Sequence, residues 1–438
     1  MHLILLSGGS GKRLWPLSND IRSKQFIQLF KGPDGPESMV QRVYRQIRTA
    51  DPAATVTVAT GKKQISTLRN QLGDGVSICV EPCRRDTFPA IALAAAFLHD
   101  EQGVAPEEPV VVCPVDPYAE PAYFQNLLKL SELAGRGEAN LCLMGVEPTY
   151  PSEKYGYIIP ETAEAVSRVK AFKEKPDART AEGYIAQGAM WNCGVFAFRL
   201  QYLLDIAHRL IDFTDYRDLY AKYDTLKKIS FDYAVAEKES DIISLRYVGE
   251  WRDLGSWNTF TEVMDTPVIG KAELDKTCEN THVINETDLQ ILCMGCKNMV
   301  VAASSDGILI ADKEQSSYLK PFADQFEEPA HFAEKSWGSY TVLDVQPKAL
   351  TIRVTLNPGH RMNYHSHKLR DEVWTILSGI GRTIVDGMEQ PVRPGDVVTM
   401  AAGCKHTIIA DTELKLIEVQ TGEDIDVNDK EKFPLESL

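Results

Sequence analysis

Short apolar runs recur along the first 265 residues. Leu3–Leu6, Thr55–Ala59, Ser77–Val80, Pro109–Val115 and Asn140–Val146 are too brief for amphipathic helices and read as buried strands. Between them, Ser38–Ile47 and Pro89–Leu98 carry apolar residues at helical spacing. This alternation predicts an α/β domain with a mostly parallel sheet. From 266 to 328 the pattern breaks into short β-like pieces, Asn298–Ala302 and Gly307–Ala311, between polar turns and without a long helix. From 329 the chain reads as all-β. Leu350–Leu356 alternates strictly, and Glu372–Leu377, Gly381–Val385, Asp396–Met400, His406–Ala410 and Leu414–Val419 follow, each bounded by Gly, Pro or Asp. Evenly spaced short strands without helices predict a small barrel or jelly roll. The acidic tail after Gly422 is expected to be loose.

The chain of 438 residues has room for this three-part division: 1–265, a short β-rich linker subdomain at 266–328, and 329–438. Its net charge of −15, from 47 basic and 62 acidic residues, argues against a nucleic-acid partner. It leaves room for a nucleotide site, where a few local cations suffice. No apolar run approaches the roughly 20 residues of a membrane helix, and the first residues show no signal peptide, so a cytoplasmic protein is expected. Nine scattered cysteines fit a reducing setting. Cys293-x-x-Cys296 lacks partners at zinc-ligand spacing and reads as two small residues in a turn. A homo-oligomer is allowed, and nothing in the pattern sets its size.

Chemistry concentrates first behind the opening strand. Gly8, Gly9 and Gly11 lack the Cβ that would keep backbone N–H groups away from a phosphate. Lys12, Arg13 and, beyond a Pro16-stiffened turn, Lys24 add cations. A dinucleotide loop is excluded because Leu14 stands where its third Gly would be. A P-loop is excluded because Arg13 follows Gly11-Lys12. The whole stretch Gly8-Gly-Ser-Gly-Lys-Arg-Leu-Trp-Pro-Leu-Ser18 with Lys24-Gln-Phe26 resembles the signature of mannose-1-phosphate guanylyltransferases (GDP-mannose pyrophosphorylases), with Ser23 in place of the family's Pro. The resemblance continues in order. Glu81-Pro-Cys-Arg-Arg-Asp-Thr-Phe-Pro-Ala-Ile-Ala92 is similar to the base-recognition segment, with Asp86 replacing Asn. Val115-Asp-Pro117, Tyr155-Gly-Tyr-Ile158, Phe172-Lys-Glu-Lys-Pro176, Trp191-Asn-Cys-Gly194 and Trp251-Arg-Asp-Leu-Gly-Ser-Trp257 complete it.

The resemblance implies a Rossmann-like nucleotidyltransferase domain that takes GTP and mannose 1-phosphate. Gly8, Gly9, Gly11, Lys12, Arg85, Asp86 and Thr87 would bind the nucleotide. Asp86 could accept hydrogen bonds from a guanine edge. Arg13 and Lys24 would stabilise charge at the reacting phosphorus. Asp116 closes an apolar run, where ligands bind in open α/β sheets. With Asp253 it offers the carboxylate pair on which Mg²⁺ is usually held with substrate phosphates. A lone Asp is more often a cap or turn residue; the ordered motifs favour the metal. By resemblance, Lys175 binds the sugar 1-phosphate, Glu174 a sugar hydroxyl, Asn192 the sugar, and Gly156 lets backbone approach the ring.

The C-terminal part carries a second constellation. Gly359-x5-His365-Ser-His367-x4-Glu372-x6-Gly379 fits the first cupin motif. Gly395-x5-Ala401-Ala-Gly403-x2-His406 fits the second, with Ala401 for Pro and Ala410 for Asn. His365, His367, Glu372 and His406 form a three-nitrogen, one-oxygen set suited to Zn²⁺, Mn²⁺, Fe²⁺ or Ni²⁺. The plain alternative is a cupin scaffold with polar lumen residues and no tight metal. This part resembles the type II phosphomannose isomerase domain, with Ser336-Trp-Gly-Ser-Tyr340 and Ile417-Glu-Val-Gln420 as landmarks. It departs from the family around Asn363 and Lys368. Isomerisation needs a cation for the phosphate, Lys368 or Arg370, and a base that the sequence does not name. Three readings follow: a guanylyltransferase with a cupin appendage, a bifunctional enzyme that also interconverts mannose 6-phosphate and fructose 6-phosphate, and a sugar-phosphate sensor with an idle transferase fold. A different sugar 1-phosphate is the main variation on the first. The intact set of Arg13, Lys24, Asp116, Lys175 and Asp253 opposes the third.

Overall fold

The computed structural model describes residues 1–434 apart from Ser10, Asp20, 327–329 and 427–428. The expected boundary at 328/329 lies outside the described residues. The chain forms two compact units, residues 1–10 with 24–265 and residues 11–23 with 266–438. No helix among the described residues is long and apolar enough to cross a membrane.

The first unit is built on a nine-stranded sheet. Its spatial order is Ser77–Glu81, Thr55–Gly61, His2–Leu6, Pro109–Pro114, Met190–Arg199, Leu141–Val146, Ile242–Tyr247, Val166–Lys173, Tyr157–Pro160. The first four strands run parallel, as expected from the alternation of strands and helices. Met190–Arg199 runs against both its neighbours, so the sheet is mixed around its centre. The reversal matters for chemistry, because the start of that strand meets the carboxyl ends of the parallel ones: Trp191 pairs with Val146. Asn192 and Gly194 thereby join the edge where ligands of such sheets bind.

Alternation in the strands fills two cores. Leu3 and Leu5 face one layer and Ile4 the other, all three fully buried. Helix Met39–Ala50 starts on a capping box in which Ser38 and Gln41 satisfy each other's backbone N–H groups. Its Val40, Val43 and Ile47 face the sheet. Helix Thr87–Asp100 is buried from Phe88 through Ala96, which explains why small alanines dominate a helix with protein on nearly all sides.

In the second unit, residues 268–304 coil rather than fold as hairpins. Val268–Ile269, His282–Asn285 and Met299–Ser304 stack in parallel, and Ala272–Leu274 stacks on Ile291–Cys293. Asn285 Nδ2 holds one turn by donating to the carbonyls of Lys271 and Leu289 at 2.9 and 2.7 Å. Gly270 passes so close to the Asn285 carbonyl that a Cβ would lie 1.9 Å from it. Trp15 packs here, filling the space left by Gly307 and tilted on Phe326 at 4.9 Å. The rest is a jelly roll of a six-stranded and a five-stranded sheet, with Trp374, Met400, Leu414 and Leu416 in its core. The tail expected to be loose is engaged: Glu431–Lys432 pairs with His365–Ser366, and the Asp429 carboxylate accepts from the Lys368 and Leu369 backbone. Charge composition alone hid this, because strand pairing and one carboxylate accepting from backbone N–H groups make the bonds.

Leu5→Ala empties a fully buried position. It is expected to cost about 2–5 kcal/mol, read as a lower urea midpoint for the first unit.

Candidate functional site

Two carboxylates of the first unit converge because a small ribbon forces them together. Asp116 follows strand Pro109–Pro114. Directly after it, Pro117–Ala119 pairs antiparallel with Trp251–Asp253, Asp253 opposite Pro117. Lys24 Nζ lies 2.9 Å from Asp116 Oδ2 and 4.0 Å from Asp253 Oδ1 and donates to the Leu254 carbonyl at 3.2 Å. The Lys-Gln-Phe run explains how Lys24 is aimed. Gln25 Nε2 donates to Ser7 O at 3.0 Å and Phe26 is fully buried, so both anchor the turn. Two partly exposed carboxylates gathered around one cation are chemically fit to share a divalent ion as well.

Near the glycine turn the residues expected to bind the nucleotide make contacts within the protein. A Cβ on Gly8 would meet Glu81 Oε1 at 3.0 Å, so Gly is what lets the loop lie against this buried carboxylate. Burial pushes the Glu81 carboxyl up, and Tyr223 donates to its Oε2 at 2.8 Å. Arg84 Nη2 reaches the Gly9 carbonyl at 3.2 Å, whereas Arg85 Nε turns to the Tyr223 carbonyl at 3.4 Å. Asp86 is exposed, has a left-handed φ of 71° and caps the following helix through Thr87 N. Thr87 Oγ1 accepts from Phe231 N at 2.8 Å. In the second unit, Gly11–Leu14 forms a 3-10 turn. There Lys12 Nζ donates to the Ala323 carbonyl at 3.4 Å, and the Arg13 side chain is exposed.

The expected sugar residues do come together. Lys175 Nζ pairs with Glu174 Oε1 at 2.6 Å, the glutamate side chain only 5% exposed. This bond holds Lys175 above its usual pKa against the opposing effect of burial. A Cβ on Gly156 would lie 2.5 Å from Glu174 Oε2. Asn192 N donates to the Gly156 carbonyl at 2.8 Å. A register shift between Asn192 and Val195, with Gly194 at φ 75°, turns this strand start into a bulge. Tyr155 packs against Trp191 and Trp251 to form an aromatic wall, its ring centroid 4.8 and 5.8 Å from theirs. Sequence reasoning missed Asp232, whose Oδ1 accepts from Asn192 Nδ2 at 2.7 Å. The acidic residue before Tyr233 gave no signal by spacing, since it reaches the pocket from a separate π-helical turn, Asp232–Ala236.

In the jelly roll, His365, His367, Glu372 and His406 place their ligand atoms within 4.8 Å of one another, all four buried. His365, Glu372 and His406 sit in the strands His365–Ser366, Arg370–Ser378 and His406–Ala410, and His367 lies just past the end of the first. Each imidazole is oriented from behind. The Nδ1 of His365 faces Asn363 O at 2.6 Å, that of His406 faces Cys404 O at 3.0 Å, and that of His367 faces Asp429 O. A carbonyl can only accept, so each Nδ1 carries the proton and each Nε2 turns a lone pair inward. His406 Nε2 is buried without a hydrogen-bond partner. His367 Nε2 and His406 Nε2 each lie 3.1 Å from an oxygen of Glu372, so lone pairs face a carboxylate with no proton between them. This donor set fits a transition-metal ion. Arg370, not Lys368, is the cation beside it: its Nε lies 3.1 Å from Glu372 Oε1 and its Nη2 3.2 Å from His367 Nε2. Lys368 is largely exposed, near Glu431. A cavity of about 500 Å³ opens onto these groups, lined also by Lys335, Glu418, Gln420 and Lys430.

A sheet that gathers charged groups at its strand ends, behind a Gly-rich first turn, carries them where open α/β sheets bind ligands. Residues 2–267 match the family model described as nucleotidyl transferase, and the chain belongs to that family. Residues 324–434 match the model described as mannose-6-phosphate isomerase C-terminal. The xanthan biosynthesis protein XanB of Xanthomonas campestris pv. campestris is 30% identical over 468 residues, covering 98% of this chain and 97% of its own. A mannose-1-phosphate guanylyltransferase of Escherichia coli (strain K12) is 27% identical over 482 residues, with 99% and 98% coverage. A crystal structure from Thermus thermophilus, described as a mannose-1-phosphate geranyltransferase, superposes with a TM-score of 0.62 at 28% identity, over 75% of this chain and 99% of that one.

Two outcomes are expected. His367→Ala should lower transition-metal affinity by more than the roughly 10–100-fold typical of outer partners, measured by metal analysis after dialysis against a graded chelator. For Asp232, burial and then Glu174 push the carboxyl up to about 6. A raised pKa means the folded state holds the proton more tightly than the unfolded chain. That contribution is full below the unfolded value of about 3.9 and lost as pH rises through about 6. Asp232→Asn should therefore raise the melting temperature more at pH 8 than at pH 4.5.

Proposed function

We propose that the protein transfers GMP from GTP to mannose 1-phosphate, giving GDP-mannose and pyrophosphate. The observation that carries this reading is the single edge at which the sheet presents Lys24 with Asp116 and Asp253 and, from the reversed strand, Asn192 beside Glu174 and Lys175. The sugar and the base rest on the names of the relatives. Division of the chain at 265 and 328 is part of the same reading.

The reaction is an in-line displacement. An oxygen of the sugar 1-phosphate attacks the α-phosphorus of GTP, and the bond to the pyrophosphate oxygen breaks. Lys175 holds the incoming phosphate, and Glu174 and Asn192 the sugar hydroxyls, so the nucleophile approaches along one line. Lys24 and Arg13 stabilise the charge that builds at phosphorus. Gly8, Gly9, Gly11 and Lys12 cradle the leaving phosphates. Arg85, Asp86 and Thr87 complete the base side. Asp116 and Asp253 would hold Mg²⁺, which neutralises phosphate charge when bound.

The cavity beside the histidines favours a second activity. Lys335, Arg370 and Lys430 are cations for a phosphate, set against a metal-ligand cluster and the acid Glu418, whose carboxyl burial pushes up. We propose mannose 6-phosphate isomerisation there. Incubation with mannose 6-phosphate and Mn²⁺ or Zn²⁺ that yields no fructose 6-phosphate removes this second reading.

Pyrophosphate release should be fastest for GTP with mannose 1-phosphate when four nucleoside triphosphates are crossed with mannose, glucose, N-acetylglucosamine and fucose 1-phosphates. Asp116→Asn should lower kcat by about 10²-fold or more, the scale of losing one oriented electrostatic group. Turnover unchanged in that variant would sink the carboxylate assignment.

A further inference from the structure

Asn192 places a neutral amide among the charged groups of the sugar pocket described above, and an amide can face two ways. Its orientation is settled by two partners. Nδ2 donates to Asp232 Oδ1 at 2.7 Å, and Oδ1 accepts from Gly194 N at 3.1 Å. An ionised carboxylate can only accept and a backbone N–H can only donate. Flipping the amide would set oxygen against oxygen and hydrogen against hydrogen, so the pair of contacts allows one orientation.

We infer that Asp232 is a positioning residue for the sugar 1-phosphate, holding the Asn192 amide so that its second N–H and its remaining carbonyl lone pair face a sugar hydroxyl. The inference rests on the reading of this pocket as the sugar 1-phosphate site. Three features of the placement support it. Asp232 opens a π-helical turn, Asp232–Ala236, a local widening that often marks functional positions. The carboxylate just past this turn, Glu237, accepts from Glu174 N at 3.1 Å, so one short segment braces both the asparagine and the glutamate of the pocket. The charges around Asp232 are Glu174 and Lys175, again the sugar set. Keeping a carboxylate in this surrounding is unfavourable for folding, as burial and Glu174 both raise its pKa. An asparagine could fill the same space without that cost, but its own amide could turn a donor toward Asn192. A carboxylate presents acceptors on both oxygens, and a positioning role accounts for the acid.

The test uses steady-state kinetics of the full chain with GTP and mannose 1-phosphate, read as pyrophosphate release, with melting curves as a folding check. Asp232→Ala should raise KM for the sugar 1-phosphate about tenfold, the scale of one charge-assisted hydrogen bond, and leave KM for GTP within about twofold. Asn192→Ala should show the same sugar-only defect, and adding Asp232→Ala to it should change nothing further, because two residues acting through one contact are not additive. Asp232→Asn, which keeps one acceptor oxygen but can also turn its amide donor toward Asn192, should recover only part of the sugar KM. Asp232→Ser replaces Asp232→Ala under the same criteria if the alanine variant does not fold. Equal effects on both substrates, additive effects in the double variant, or no change in sugar KM overturn the inference. Wild-type protein that releases no pyrophosphate with any sugar 1-phosphate overturns instead the reading of the pocket on which it rests.

Discussion

Asp116 and Asp253 are like charges, well separated in the chain, and their approach to one ammonium depends on backbone hydrogen bonds that ignore charge. The ribbon of Pro117–Ala119 with Trp251–Asp253 fixes the register. Repulsion between the carboxylates is then a cost the ladder must bear, and Lys24 offsets it at 2.9 and 4.0 Å. Such a pair is preorganised for positive charge because it cannot relax by moving apart. Much of the first unit serves this arrangement. The strand Pro109–Pro114 delivers Asp116 to the sheet edge, and Gln25 and Phe26 lock the turn from which Lys24 points.

The parts of the fold legible in the sequence were those set by local periodicity. The buried runs around Leu3, Val56 and Val110 are strands because alternate residues fill two cores, and a run of apolar residues shows that directly. The reversal of Met190–Arg199 was not legible, because strand direction depends on where the chain re-enters the sheet. The coil from Val268 to Ser304 was hidden for a related reason: its strands are too short for periodicity, and its order lies in stacking between turns. At the site, motif residues such as Lys24, Glu174, Lys175 and Asn192 were visible as motifs. Asp232, Glu81 and Arg84 became visible only through their partners. Arg84 and Arg85 are adjacent in sequence and face different groups, a distinction no spacing rule carries.

The jelly roll shows a comparable division. Ligand identity followed from the spacing of His365, His367, Glu372 and His406. What makes them competent is the set of carbonyls behind the rings, which belong to Asn363, Cys404 and Asp429. One of these carbonyls comes from the acidic tail. The tail therefore sets the tautomer of His367, which its composition would not suggest.

The absent side chain at Gly156 fixes how this pocket can change over evolutionary time. A Cβ there would lie 2.5 Å from the Glu174 carboxylate and 3.0 Å from the Phe172 ring, so no mutation at 156 can narrow the pocket by degrees. The first step away from glycine displaces the acceptor itself. Change in this pocket by small steps falls instead to the aromatic wall of Tyr155, Trp191 and Trp251, whose members can change size gradually.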